Sequence, residues 1–220
     1  MRMLFALAAI AISAPALAVQ PVAIPGLYNT GVDDAGVATS GSASDLHWVR
    51  ALGIAYTGGT NGQFPIGPWL SEDATSRWLT PGPDAGSDFD PNIDGIYTYI
   101  TTFSLNGFNP NSASFSGRFA ADNLVSAITL NGVTITGSGG GFNFWTDFSS
   151  AGGNFVAGVN TLSFTVENGA QLTGNPTGLR VEFLSSSATA VPEPAAWMLL
   201  VAGFGLVGVS ARRRAKPVAA

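Results

Sequence analysis

Oxygen-bearing side chains recur at every second position in one short stretch: Asp88, Asp90, Asn92 and Asp94, followed by Gly95. Hard cations take oxygen ligands, and a glycine lets a ligand loop bend sharply. Asp90, Asn92, Asp94 and Gly95 fit the first half of a twelve-residue calcium loop, but Thr101 stands where its closing carboxylate belongs. The residues after Gly95 also read as a strand rather than a helix. Two readings stay open. One is a structural Ca2+ site of another design, and the other is a polar turn whose Asp and Asn side chains satisfy the backbone.

A second group is aromatic. Trp69, Arg77 and Trp78 lie in a loop-rich stretch between Gly67 and Pro81. An exposed indole offers a flat face to a sugar ring, and a neighbouring arginine donates to hydroxyls. The competing reading places the tryptophans in the core as large apolar anchors. Trp48 and Trp145 are expected in the core. His47 is the only histidine, so a zinc site built on several histidines is excluded. No G-x-S-x-G elbow accompanies it, and no catalytic residue is assigned. A pair of carboxylates could still hydrolyse a glycosidic bond, with Glu72, Asp73 and Glu167 available.

The elements that must hold these residues read as strands. Gly, Asn, Ser and Pro clusters separate short runs with period-two alternation. In residues 95–105, Tyr97, Tyr99, Thr101, Phe103 and Leu105 share one face. Residues 112–121 place Ala113, Phe115, Gly117 and Phe119 inward and Ser112, Ser114, Ser116 and Arg118 outward. Residues 124–130 run into Asn131-Gly132, a strong hairpin signal, and 133–136 return. Further strands are expected at 142–148, at 160–168 and at 179–184, the last with Arg180 and Glu182 outward. The fold class is all-β, a jelly-roll β-sandwich over residues 19–184. Residues 185–191 read as a short flexible linker.

Composition narrows the partners. Between residues 19 and 191 there are four arginines, no lysine and thirteen carboxylates, a net charge of −9. That balance argues against nucleic acid and suits metal cations or neutral glycans. With no cysteine, disulfides and thiol chemistry are excluded.

Both ends carry targeting features. Residues 1–18 read as a signal peptide: Arg2, then an apolar segment, then a cleavage site at Ala16 and Ala18. At the other end Pro192, Glu193 and Pro194 precede an uncharged run, residues 195–211, closed by Arg212, Arg213 and Arg214. The run is as long as the shortest membrane-spanning stretches, and the arginines favour a cytoplasmic end. Residues 192–214 resemble the PEP-CTERM sorting signal. That resemblance implies recognition by an exosortase and cleavage near the Pro-Glu-Pro box. It also implies inner-membrane anchoring facing the periplasm, followed by release to the cell surface or extracellular matrix and a link to exopolysaccharide.

The stretch from Thr102 to Glu182 resembles galactose-binding-like jelly rolls. The carrying residues include Phe103, Leu105, Asp122-Asn123, Asn131-Gly132, Gly158-Val159-Asn160 and Gly178-Leu179. The expectation is an exported, non-enzymatic surface or matrix protein with glycan contact. The alternatives are a carboxylate-dependent glycoside-active enzyme and a purely structural or adhesive protein.

Overall fold

The structure, a computed structural model, describes residues 20–58, 67–135, 137–191 and 196–214; within 196–214 it describes side chains only at 198 and 201–209. Among the described residues eleven strands form one antiparallel sheet. They are β1 (Pro21–Val22), β2 (Ser44–Arg50), β3 (Gly53–Thr57), β4 (Leu79–Thr80), β5 (Gly95–Ser104) and β6 (Phe108–Asp122). Then come β7 (Leu124–Leu130), β8 (Val133–Thr134), β9 (Thr146–Ala151), β10 (Val159–Asn168) and β11 (Gly178–Ala190), followed by one helix, α1 (Ala196–Arg214). Neighbours run in the order β8-β7-β10-β5-β2-β3-β4-β11-β6-β9, and β1 pairs with β11 off this path.

The sheet folds over on itself, consistent with a β-sandwich. Phe164 of β10 meets Phe119 of β6 and Phe148 of β9 with ring centres 5.9 and 5.2 Å apart. Trp48 of β2 lies 5.8 Å from the same ring. Period-two alternation puts Tyr99, Thr101 and Phe103 on the buried face of β5, with Leu105 buried just past its end, and Leu162, Phe164 and Val166 on that of β10. Each large apolar side chain so buried contributes about 1.5–3 kcal/mol. Asn131 and Gly132 turn β7 into β8 with φ of 53° and 81°, the two positive values that a type I′ hairpin needs.

Several expectations are corrected. Residues 142–148 are not one strand: β9 begins at Thr146 and runs to Ala151. Before it, Phe142 and Trp145 pack on the outside of the sheet, against a second apolar cluster. The flexible linker expected at 185–191 is the end of β11, which continues to Ala190. It is ordered because it has partners on both sides. Thr189 faces Asn109 of β6 and Pro21 of β1, and Val191 donates to the carbonyl of Gly107 at 2.8 Å.

From Ala196 onward the span expected at 195–211 is helical, but among the described residues no helix is long and apolar enough to cross a membrane. α1 ends in the three arginines, and its uncharged part covers only about 24 Å at ~1.5 Å per residue, against a hydrocarbon core of ~30 Å. The expected signal peptide and the Pro-Glu-Pro box lie outside the described residues.

Candidate functional site

The outer face of β6 and β11 has two unlike ends. At the end formed by the close of β6 and the start of β11, residues 67–78 lie over the sheet as a cap and lead into β4. Trp69 and Trp78 meet there with ring centres 4.3 Å apart and are 6% and 0% exposed. The Trp78 indole N–H donates to the carbonyl of Leu70 at 2.9 Å. Gly178 makes the approach possible, because a Cβ there would lie 2.7 Å from the Leu79 carbonyl and 3.3 Å from the Trp69 ring. The stacking platform expected of Trp69 and Trp78 is thus folded into a second core, and neither ring presents an open face. Arg77 donates to the Glu72 carboxylate at 2.6 Å, and the other oxygen of that carboxylate accepts the Trp78 backbone N–H at 2.8 Å.

Beneath the cap lies a buried ionic network. Arg180 and Glu182 point away from the main core, as their alternation requires, yet they are 1% and 2% exposed. Arg180 donates to the Ser76 hydroxyl at 2.6 Å and to the Ser71 carbonyl, and its other nitrogen lies 3.1 Å from both Glu182 and Asp73. The Ser76 hydroxyl donates to Glu182 at 2.8 Å, and Arg118 reaches the second oxygen of Glu182 at 2.6 Å. Trp145, expected in the core, is half-buried on this outer face instead. The Arg118 and Arg180 guanidinium carbons stand 4.4 and 4.9 Å from its ring centre, so two cations lie against it in addition to the second apolar cluster. At the cap's margin burial pushes the Asp122 carboxyl up from its ordinary 3.8 to about 6, while a hydrogen bond from Trp69 opposes the shift.

The Asp88–Asp94 stretch lies elsewhere and faces residues 168–175. Asp90 accepts from the Tyr97 hydroxyl and from the Asn168 amide, both at 2.8 Å. Asp94 accepts from the Ala170 backbone N–H and Asp88 from that of Asn175, again at 2.8 Å. Asn92 is exposed. The three carboxylates fan out to separate partners and staple two loops together. Among the described residues no three His, Cys, Asp or Glu side chains gather closely enough to hold a metal ion. His47 stacks on Tyr28 at 3.7 Å and lies 3.5 Å from the Asp34 carboxylate.

The other end of the β6–β11 face is bare. Ser116 stands opposite Ser149 of β9 on one side and Ser185 of β11 on the other, and the Ser116 and Ser185 hydroxyls are 2.7 Å apart. Beside this row opens a cleft of about 680 Å³, bordered by β9 and by Thr134 and Ile135 at the end of β8. β8 and β9 are the two terminal strands of the sheet, so the cleft occupies the seam where the folded sheet fails to close. The alternation of serines was legible in the sequence; the seam was not, because it depends on which strands end up at the edges.

The tail completes the picture. Residues 190–214 match the family model of the PEP-CTERM protein-sorting motif. The C-terminal segment is a PEP-CTERM sorting motif. It begins where β11 ends, at Ala190, and includes all of α1. The PEP-CTERM motif indicates an exported protein sorted by an exosortase. No curated protein matches the chain in sequence.

Proposed function

We propose that this PEP-CTERM protein is a non-enzymatic component of the cell surface or extracellular matrix with a galactose-binding-like jelly roll that contacts neutral glycan. Its tail holds it at the inner membrane, facing the periplasm, until an exosortase releases it. The sorting motif carries the export and processing part of this reading. The apolar side chains of α1 support the membrane step: Met198, Val201, Phe204, Leu206, Val207 and Val209 are all exposed, and a helix apolar all round needs an apolar surrounding. Of the carboxylates weighed for hydrolysis, Glu72 pairs with Arg77 and Asp73 with Arg180, and this favours a non-enzymatic domain over a glycosidase, whose carboxylates must face a bound sugar.

Processing tests the reading. In a host with the matching exosortase, the released form is expected to lack the apolar run. Glu193→Ala or Pro194→Ala should leave the full-length chain in the inner-membrane fraction. Released protein whose mass still includes Trp197 would overturn the proposal.

A further inference from the structure

We propose that the seam cleft between β8 and β9 is the binding site for a neutral, hydroxyl-rich carbohydrate. This rests on the glycan-contact reading above and gives it a place in the fold.

The wall of the cleft is formed largely by Ser114, Ser116, Ser149, Ser150, Asn154 and Ser185, with Phe115 and Ile135 supplying an apolar part. Among the described residues no ionisable side chain lines it. A hydroxyl both donates and accepts, and an amide does the same through separate atoms. Such a wall matches a ligand whose own groups also do both. An ion entering it would lose hydration without meeting an opposite charge. A smaller hollow of about 340 Å³ adjoins it, shares Ser116 and Ser149, and adds Asp147, a strong acceptor for sugar hydroxyls. The main cleft's volume falls within the ~300–1,000 Å³ usual for ligand sites.

A row of serines alone would be an ordinary β surface. Ser150 makes the difference. It projects from the inner face of β9 opposite Phe115, is 7% exposed, and its hydroxyl has no hydrogen-bond partner. Buried polar atoms are almost always partnered, so an orphan hydroxyl on a cleft wall marks a place where a ligand atom completes the bond.

The test uses the full chain in a detergent without a sugar headgroup. Short neutral oligosaccharides of the α-glucan, β-glucan and galactan types are titrated by calorimetry, with melting curves recorded for every variant. The expected result is saturable binding to at least one of them, little changed by added salt. Ser150→Ala should weaken it ten-fold or more without lowering the melting temperature, because that hydroxyl bonds to nothing in the protein. Ser114→Phe, which fills the cleft from the open face, should abolish it. Hydrogen exchange on the unsubstituted chain supplies a readout independent of any variant: the bound sugar should protect the amides of residues 149–154. If the sugar binds but both variants bind equally well and these amides are unprotected, the cleft is not the site, while glycan contact stands. If none of the sugars binds, both the cleft and the neutral-glycan reading fall.

Discussion

β6 and β11 run side by side for most of their length, yet the two ends of their outer face obey different rules. At the capped end alternation disappears. The last four residues of β6 and the first five of β11 are all buried, so both faces of the sheet are interior. At the open end alternation returns, with Phe115 buried and Ser114 and Ser116 partly exposed on either side of it. The capped end holds the charges: Arg180 and Glu182 are locked to each other and to Arg118, Asp73, Ser76 and Ser71. The open end holds hydroxyls. The density of charge and aromatic rings that looks most like a binding site is therefore the part committed to holding the fold. The plainer serine surface is where a ligand has access.

The sharpest test removes one partner from the buried network. Arg180→Ala leaves Glu182 and Ser76 short of a bond and is expected to cost about 3–5 kcal/mol in urea unfolding. Ser116→Ala, on the open end of the same strand pair, should stay within about 0.5–1 kcal/mol, the usual cost of losing one exposed hydroxyl contact. Equal losses at the two positions would end the distinction between the two ends.

Trp78→Ala should cost a similar ~3–5 kcal/mol, because it empties a fully buried indole site. Sugar retention per folded molecule should be unchanged. A variant that melted normally but lost its sugar would return Trp78 to the role of stacking platform.

A smaller effect comes from Asp122. Burial raises its carboxyl in the fold to about 6, against an ordinary value of 3.8 that the unfolded chain keeps. Below both values the group is neutral in either state and costs nothing. As pH rises from 3.8 through about 6 the unfolded chain has already released the proton that the folded one retains, so stability falls over this window. The loss is about 1–2 kcal/mol once partial solvent screening is allowed for. Asp122→Asn should flatten that slope in melting curves taken across the window, and a slope of the opposite sign would contradict a carboxyl raised by burial.

Local pattern carried far into this structure. The alternation in β5, β6, β7 and β10 and the Asn131-Gly132 turn were legible because a half-buried strand writes its two faces into every second residue. The Pro-Glu-Pro box, the apolar run and the arginines identified the sorting motif because such a signal is read as a linear segment. Residues 185–191 were misread because Ser, Thr and Ala suit a linker as well as a strand, and only the partners on both sides, β6 and β1, order them. The expected span is a helix whose uncharged part ends before Arg212, and among the described residues no helix is long and apolar enough to cross a membrane.

What the sequence determined by itself was the strand period, the hairpin turn and the sorting tail, all of which depend on neighbours along the chain. Only the tertiary structure decided that residues 67–78 cover one end of an outer face, turning Arg180 and Glu182 from surface charges into buried ones. Only it decided that β8 and β9 are left as facing edges with a cleft between them. Period two reports which face of a strand a residue occupies; it does not report what a distant segment lays over that face, because that choice is made by apolar burial between residues about a hundred positions apart, such as Trp69 and Gly178.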